Sequence, residues 1–256
     1  MKDLTIIIPL KEYDSSMDEL LGRAIDSCFD NKIILVGKGV EKYQHLTRDN
    51  EVSPSLIYFE NTSENTTYQH NVNMAVESVD TKYFSVLEYD DYFSEKWFKN
   101  VEKEIEYDVE DTSVFLPLTE VVEYNEPNNT IGYSNEAFWA SSFSDEIGCL
   151  DTESLQNYLS FNVSGAIFKT SDFISLGKLK ESMKLVFWLE YLLRALHEQK
   201  RMYVIPKIGY YHFIGRKDSM MAEYEASMSE KEADWWVDLA KKEFFFKKDR
   251  NKVYEG

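Results

Sequence analysis

Apolar and polar residues are distributed along the chain in blocks that predict strands and helices in turn. Short apolar runs, typical of buried strands, lie at residues 4–10, 32–36, 55–60 and 83–87. Helical segments separate them at residues 16–29 and 68–79, and a helix or turn is predicted at residues 40–46. Because such alternation is most simply satisfied by parallel strands with crossover helices, we predict an α/β fold with a mostly parallel central sheet flanked by helices.

The second half of the chain continues this pattern less regularly. Helices are predicted at residues 97–107, 185–198 and 229–246, and strands at 113–118, 162–169, 202–205 and 210–213. Residues 119–150 mix strand-like and turn-forming residues, and we interpret them as an inserted hairpin with loops. We therefore expect one domain over residues 1–220, with residues 221–256 as a helical extension packed on it.

Composition and charge exclude some classes of protein. The net charge of −18 over 256 residues argues against a sequence-independent nucleic-acid binder. No apolar run approaches the roughly 20 residues of a membrane span, and the chain enters its first strand without a signal peptide. Cys28 and Cys149 lack CxxC spacing and are predicted to be reduced core residues, which favours a cytoplasmic location.

The C-terminal region carries two further patterns. A basic tail surrounds three phenylalanines, and it fits either contact with an anionic membrane surface or a packed terminal helix with a solvated end. The basic residues are Lys241, Lys242, Lys247, Lys248, Arg250 and Lys252. Trp235 and Trp236, with Leu239 and Phe244, form a helical stripe that predicts a core-facing side or the interface of a homo-oligomer.

An acidic cluster ends the strand at residues 83–87. Glu88, Asp90 and Asp91 stand where the extended run meets a turn. In α/β sheets, ligands bind at the carboxyl ends of strands, and carboxylate oxygens are the ligands that hard divalent cations prefer. The cluster is therefore a candidate site for a metal ion and its phosphate ligand. A solvated acidic turn that precedes the next helix is the simpler alternative.

Five segments together resemble a known family. They are Thr5-Ile6-Ile7-Ile8-Pro9 with residues 21–27, residues 65–75, Phe84 to Asp91, Val163 to Phe168, and residues 189–196. Their order and spacing, across about residues 4–220, resemble a family 2 glycosyltransferase with the GT-A fold. The resemblance implies transfer of a sugar from a nucleotide-diphosphate donor to an acceptor hydroxyl, with Mn²⁺ or Mg²⁺ as cofactor and inversion at the anomeric carbon.

The resemblance also implies roles for individual residues. Donor binding would involve Pro9, Leu10, Asn71, Glu88, Tyr89, Asp90 and Arg216. The acceptor side would include Ser164, Gly165 and Trp188, and the metal would be bound by Asp90, Asp91 and His212. For His212, a packed position in an aromatic strand is the alternative to metal binding. Arg216 and Lys217 could close over the diphosphate of the donor.

Three departures from the family pattern leave questions open. Glu88 stands where the family has Asp, and Gly37-Lys38-Gly39 replaces the segment that carries an Asp for reading the base. The family's acidic pair, source of the general base in inverting members, aligns with Phe187 and Trp188. Glu190 is the nearest candidate base; Asp145, Glu146 and Asp151 are the others.

These departures define the competing hypotheses. The first is an inverting transferase that uses one of these bases. The second is a retaining transferase on the same fold, and the third is a GT-A-like domain that has lost catalysis and serves as a binding or assembly module. The acceptor stays open among a glycan, a lipid, a protein and a modified nucleic acid.

Overall fold

The computed structural model of the protein describes residues 1, 3–46, 55–139, 146–157, 161–216 and 226–243. Within these residues, one nine-stranded mixed sheet is covered by helices on both faces. Its strands are β1 Leu4–Glu12, β2 Lys32–Lys38, β3 Leu56–Glu60, β4 Tyr83–Val86, β5 Tyr92–Phe93, β6 Val114–Glu123, β7 Glu126–Ser134, β8 Ile167–Lys169 and β9 Met202–Ile214.

The helices connect and cover the strands. The α-helices are α1 Asp18–Asp26, α2 Tyr68–Val76, α3 Trp97–Tyr107, α4 Thr152–Asn157, α5 Thr170–Ser175, α6 Phe187–His197 and α7 Glu230–Glu243. Short 3-10 helices span Ser15–Met17, Val40–Leu46 and Glu136–Trp139. In the part of the chain that the structure describes, no helix is both long and apolar enough to cross a membrane.

The strand order creates a crevice in the middle of the sheet. Strands β3, β2, β1 and β4 are neighbours in that order and all pair in parallel. The chain leaves β1 toward β2 and β3, then returns to place β4 on the other side of β1. The connections from β1 and β4 therefore diverge, which makes the carboxyl ends of these two strands the ligand-binding position of an open α/β sheet.

The other half of the sheet brings a distant strand to this crevice. β8 pairs antiparallel with both β4 and β6, and β9 runs parallel to β6. β5, which directly follows the acidic cluster, pairs antiparallel with β9 through Tyr92–Tyr211 and Phe93–Tyr210. This register places the end of β9 beside the turn that follows β4.

Alternating side chains of the central strands pack into two cores. In β1, Ile7 contributes to the core shared with α2, α5 and α6, whereas Ile6 and Ile8 contribute to the core shared with α1 and α3. All three isoleucines are fully buried. A parallel strand covered on both faces is expected to be continuously apolar, and this is why the segment gives no alternating pattern.

The predicted α/β class with parallel central strands is confirmed, and the inserted hairpin is formed by β6 and β7. Two strand predictions were wrong. Residues 202–205 and 210–213 belong to one strand, β9, and only residues 167–169 of the segment 162–169 are extended. A turn precedes β8, where Gly165 has a φ of +76° and the Ala166 N–H donates to the Val163 carbonyl.

The predicted C-terminal helix lies against α6. Ala240 of α7 is fully buried in the core that contains α6, and Trp236 packs against that core. Trp235, by contrast, is 55% exposed. The helix was expected to reach residue 246; residues 244–256, which hold most of the basic tail, lie outside the described residues.

Candidate functional site

The acidic cluster occupies a turn at the carboxyl end of β4. The Leu87 N–H still donates to the Ile7 carbonyl of β1, at 2.9 Å, but the next N–H, of Glu88, donates to the Tyr210 hydroxyl of β9 at 3.2 Å. The Asp91 N–H closes the turn on the Glu88 carbonyl at 3.1 Å. After Leu87 the backbone thus no longer bonds to β1, and the turn is held by β9 instead.

Asp91 is held at the base of this turn. Its side chain is buried, with Oδ1 accepting the Phe213 N–H at 2.8 Å and Oδ2 lying 2.8 Å from Nδ1 of His212. Because β5 pairs with β9 in a fixed register, the residue before β5 comes directly beside the end of β9. The strand pairing therefore positions the carboxylate and the imidazole.

Glu88 completes a group of three potential metal ligands. One ligand atom each from Glu88, Asp91 and His212 can be chosen so that all three lie within 4.8 Å of one another. Ligand atoms of one divalent cation at 2.0–2.3 Å have separations of this size, so the three can hold one ion. Two carboxylate oxygens with one imidazole nitrogen form a donor set typical of Mn²⁺ and other transition metals.

The charges in this group are poorly balanced. Burial and the Asp91 carboxylate raise the pKa of Glu88 to about 7, although His212 and the Ser164 hydroxyl oppose the shift. Burial likewise raises the pKa of Asp91, against the effect of His212. For His212, burial acts to lower the pKa, but Asp91 and the other two carboxylates outweigh it and raise the pKa to about 9. Glu88 and Asp91 thus share one imidazolium, and an additional cation would relieve the repulsion between the two carboxylates.

Asp90 belongs to a second, adjacent group. Its Oδ2 accepts from Nη1 of Arg216 at 3.1 Å, and Nη2 of the same guanidinium donates to the Tyr89 hydroxyl at 2.8 Å. The Arg216 side chain is only 5% exposed and lies over the rings of Tyr89 and Tyr124. Burial and the Glu88 charge raise the pKa of Asp90 to about 6, despite the opposing effect of Arg216.

Two tyrosines that the sequence prediction had not assigned to the site stand beside the carboxylates. Tyr210 is fully buried and accepts from the Glu88 N–H, and burial followed by the Asp91 and Glu88 charges raises the pKa of its phenol. Tyr68 is also buried, and burial and the Glu88 charge raise the pKa of its phenol. A sequence signal existed for Tyr210, because alternation places it on the same face of its strand as His212.

The predicted donor residues of β1 line the other side of the crevice. Pro9 pairs with Val36, and the buried Leu10 follows it. The Leu10 carbonyl accepts from Nδ2 of Asn71 at 2.8 Å. The position of the same carbonyl requires glycine at residue 37, since a Cβ on Gly37 would lie 2.2 Å from the Leu10 oxygen. The glycine that replaces the family's base-reading segment is thus required for the close approach of β2 to β1.

The predicted acceptor-side residues lie around the acidic cluster. The Ser164 hydroxyl donates to Oε1 of Glu88 at 3.4 Å. Gly165 packs so closely on the Tyr210 ring that a Cβ at residue 165 would lie 2.4 Å from Cδ2 of that ring. Trp188 stacks on Phe168 at 5.0 Å, and its Nε1 donates to the Tyr68 hydroxyl at 3.4 Å.

The candidate bases have other partners. Glu190 is completely buried and accepts from Arg194, at 2.9 Å to each oxygen, and pairs with Lys180 at 3.0 Å. Glu146 pairs with Arg201, and Asp151 accepts from the Ser154 N–H at the start of α4. Asp145 and Lys217 lie outside the described residues.

The structure therefore brings most of the predicted site residues to one crevice, in two groups. Glu88, Asp91, His212 and Ser164 form the first, and Tyr89, Asp90 and Arg216 form the second. Pro9, Leu10 and Asn71 lie at the carboxyl end of the neighbouring strand, β1. Trp188 is connected to the site by its hydrogen bond to Tyr68. Glu190 is engaged by Lys180 and Arg194 instead.

Comparison with known proteins identifies the fold. No protein-family model and no curated protein matches the sequence. Among solved structures, S. aureus TarS 1-349 in complex with UDP-GlcNAc matches at a TM-score of 0.65 and 14% identity, over 95% of this chain and 71% of that one. The same protein in complex with UDP matches at 0.62 and 14%, over 95% and 70%.

Other TarS structures extend the comparison. The chain covers 60% of another TarS 1-349 structure and 43% of the longer TarS structure, both at a TM-score of 0.62. At 14–15% identity, these likenesses establish the architecture and nothing about individual residues. The predicted α/β fold of the GT-A type, with its parallel central strands flanked by helices, is thus confirmed as the fold that this chain shares with TarS.

Proposed function

We propose that the protein is a family 2 glycosyltransferase that moves a sugar from a nucleotide-diphosphate donor to an acceptor hydroxyl and depends on a divalent metal ion. The observation that carries the proposal is the convergence of Glu88, Asp91 and His212 at the central crevice of the sheet. The proposal is supported by the fold, since its structural neighbours are proteins solved with UDP and UDP-GlcNAc. We infer a UDP-linked sugar as the donor.

The donor set favours Mn²⁺ over Mg²⁺. Mg²⁺ prefers oxygen ligands alone in near-ideal octahedral geometry, whereas Mn²⁺ accepts an imidazole beside carboxylates. In this proposal Glu88, Asp91 and His212 bind the ion, and Asp90 stays with Arg216. When bound, such an ion acts as a Lewis acid that neutralises charge on a departing nucleotide diphosphate.

The surrounding residues contribute charge and shape. Arg216 is a permanent cation at the edge of the crevice, suited to diphosphate oxygens because a guanidinium donates in a planar fork. Tyr68 and Tyr210 stay neutral, because burial and the nearby carboxylates raise their pKa values, and they can therefore only offer hydroxyl hydrogen bonds. Ser164, Gly165 and Trp188 form the wall toward the acceptor.

Inversion at the anomeric carbon is the outcome that the family resemblance favours, and it needs a base for the acceptor hydroxyl. Glu190 can act as this base only if it is released from Lys180 and Arg194. A retaining transferase is therefore the alternative reaction on the same fold.

A second candidate function has its own support. Phe187 and Trp188 stand at the positions of the family's acidic pair, and Asp90 is already neutralised by a buried arginine. Both observations favour a module that binds a nucleotide sugar without transferring it. This candidate shares the donor site and differs only in the absence of turnover.

The test separates the three outcomes. We expect UDP to raise the melting temperature of the protein only with Mn²⁺ or Mg²⁺, and Asp91→Asn to abolish this shift. Asp80→Asn, at an exposed carboxylate paired with Lys32, should leave it unchanged. Slow metal-dependent hydrolysis of a UDP-sugar would then support the transferase, and binding without hydrolysis the module. No metal-dependent shift with any nucleotide diphosphate would contradict both.

A further inference from the structure

A chain of polar side chains begins at the central crevice and runs away from it. Nδ2 of Asn71 donates to the Leu10 carbonyl at 2.8 Å, and Nδ2 of Asn61 donates to Oδ1 of Asn71 at 2.7 Å. Both asparagines are 1% exposed. Asn71 is therefore engaged within the protein, and it links the end of β1 to the residue that follows β3.

The chain continues through a serine and a histidine. Oδ1 of Asn61 accepts from the N–H and the hydroxyl of Ser63, both at 2.8 Å. The Ser63 hydroxyl lies 3.0 Å from Nε2 of His70, and Nδ1 of His70 lies 3.1 Å from both carboxylate oxygens of Glu181. A polar connection thus reaches from the Leu10 carbonyl to a residue on the segment before α6.

Glu181 gathers donors from several places at once. In addition to His70 of α2, Nδ2 of Asn65 donates to it at 3.1 Å and Nδ2 of Asn73 at 3.3 Å. Asn73 also donates to the Leu179 carbonyl and accepts from the Leu179 N–H, at 2.8 and 3.0 Å. One carboxylate therefore ties residues 61–67, which we name the β3 loop, to α2 and to the segment before α6.

The β3 loop lies at the carboxyl end of the parallel strands. Its first residue, Asn61, donates its N–H to the Gly37 carbonyl at the end of β2, at 2.9 Å. Helix α2 then begins at Tyr68, and the preceding residue, Thr67, caps it by accepting from the His70 N–H. The loop is thus beside the ends of β1 and β2, on the side of the crevice opposite the acidic cluster.

A network of this kind fixes geometry more than it adds stability. Buried amides stabilise little in net terms unless every group is satisfied, but a fully connected network allows only one arrangement of its members. Asn61, Asn71 and Asn73 are its buried members, whereas the Glu181 side chain is 40% exposed. The network orders a loop at the ligand-binding end of the sheet.

We propose that His70 and Glu181 are positioning residues that hold the β3 loop as one wall of the nucleoside half of the donor site. The inference rests on the proposed function. The metal ligands on the other side of the crevice face the diphosphate, which leaves the ends of β1, β2 and β3 for the base and ribose. The donor, rather than the acceptor, is the substrate whose binding these two residues control.

The test measures UDP binding by calorimetry in the presence of Mn²⁺ and donor KM against kcat. For His70→Ala and Glu181→Gln we expect the UDP dissociation constant and the donor KM to rise about tenfold, as for loss of one hydrogen bond to a charged group, with kcat nearly unchanged. Glu181→Asp should recover part of the affinity. Glu77→Gln is the matched control, since Glu77 caps the opposite end of α2 from the β3 loop and pairs with Lys178 of the same segment before α6.

The outcomes separate the positioning role from the proposed function. If wild-type protein binds UDP and both variants bind it with unchanged affinity, the positioning role is wrong and the proposed function stands. If wild-type protein binds no nucleotide diphosphate, both are wrong. Should His70→Ala fail to fold, Glu181→Gln decides, because it is isosteric. A fall in kcat with unchanged KM would also contradict the proposal.

Discussion

Asp91 and His212 are 121 residues apart in sequence, yet Oδ2 of one lies 2.8 Å from Nδ1 of the other. The contact is a consequence of strand pairing: β5 starts directly after Asp91, and its antiparallel register with β9 leaves the carboxylate beside the imidazole. The same register delivers the Phe213 N–H to the other oxygen of Asp91. The sheet therefore orients the pair before any ligand arrives, which is the preorganisation that a metal site needs.

The first prediction concerns His212. Changing His212→Ala removes the nitrogen ligand and leaves Glu88 and Asp91 as a carboxylate pair. We expect the Mn²⁺ dissociation constant to rise by at least about tenfold, since losing even a residue that only supports a ligand has that effect. Electron paramagnetic resonance of free Mn²⁺ measures this without any substrate.

The control for this prediction is His45→Ala. His45 also contacts an aspartate, Asp18 at 2.7 Å, but its side chain is 48% exposed and distant in the fold from the crevice. Unchanged Mn²⁺ affinity in His212→Ala would show that the histidine is only a packed strand residue.

The second prediction concerns the Arg216–Asp90 pair. Arg216→Ala should lower the free energy of unfolding by about 3 kcal/mol, because it leaves a buried carboxylate without its counter-charge. In the double variant with Asp90→Asn, the buried charge is absent, so much of that stability should return. Urea denaturation of the wild type, both single variants and the double variant gives the coupling energy.

A kinetic measurement on the same variants tests the functional role of Arg216. If the guanidinium binds the diphosphate, the donor KM should stay high in the double variant although its stability has recovered. A donor KM that returns to the wild-type value together with stability would contradict this role.

The third prediction separates two roles of Glu190. Its carboxylate is fully buried and bound by Arg194 and Lys180, so Glu190→Gln should destabilise the protein by about 3 kcal/mol while kcat of the folded enzyme stays near the wild-type value. A general base would instead cost at least about a hundredfold in kcat. Glu198→Gln, at the exposed end of the same helix, is the neutral control for stability.

The sequence predicted the parts of this molecule that depend on local pattern. Continuous apolar runs indicated the doubly covered strands, and the acidic residues after β4 indicated the crevice. What local pattern could not predict is which residues of a distant strand lie beside them. Alternation places Tyr210 and His212 on one face of their strand, but only the register of β5 with β9 shows that this face meets the carboxylates.

The pairing of carboxylates with cations was equally beyond sequence. Asp90 was predicted as a metal ligand together with Asp91 and His212, and this stays untested. In the structure the partner of Asp90 is Arg216, and Glu88 lies with Asp91 and His212 instead. A turn of four residues can direct adjacent side chains to different sides, and the choice depends on hydrogen bonds with β9. Similarly, nothing local marked Glu181 as the partner of His70.

The fourth prediction is a pH dependence of stability away from the site. Asp172 is held by Lys200 at 2.7 Å and by the Ser113 hydroxyl at 2.5 Å. Burial acts to raise its pKa, but these two bonds, together with the charges of Lys169 and Lys200, outweigh burial and hold the pKa below its usual value. Its contribution to stability is therefore present above the unfolded pKa of about 3.9 and is lost as pH falls through the lower folded value.

Asp172→Asn tests this sign. The variant should be less stable than wild type by about 1–3 kcal/mol between pH 5 and 8, with the difference shrinking below about pH 4. Denaturant titrations across this range measure it. Asp111→Asn, at an exposed carboxylate that also binds a lysine, should show almost no difference at any pH. A difference for Asp172→Asn that grows on acidification would contradict the assignment.

The last prediction links packing to the metal site through Gly165. This residue has a φ of +76°, and a Cβ would lie 2.4 Å from Cδ2 of Tyr210. Gly165→Ala should therefore cost about 2–4 kcal/mol through backbone strain and overpacking. Because the Tyr210 hydroxyl accepts from the Glu88 N–H, displacing the ring should also weaken Mn²⁺ binding.

Gly132→Ala is the matched control, since a Cβ there has no heavy atom within 4 Å. Calorimetry gives both quantities, and loss of stability with unchanged Mn²⁺ affinity would show that Tyr210 supports the fold and not the site.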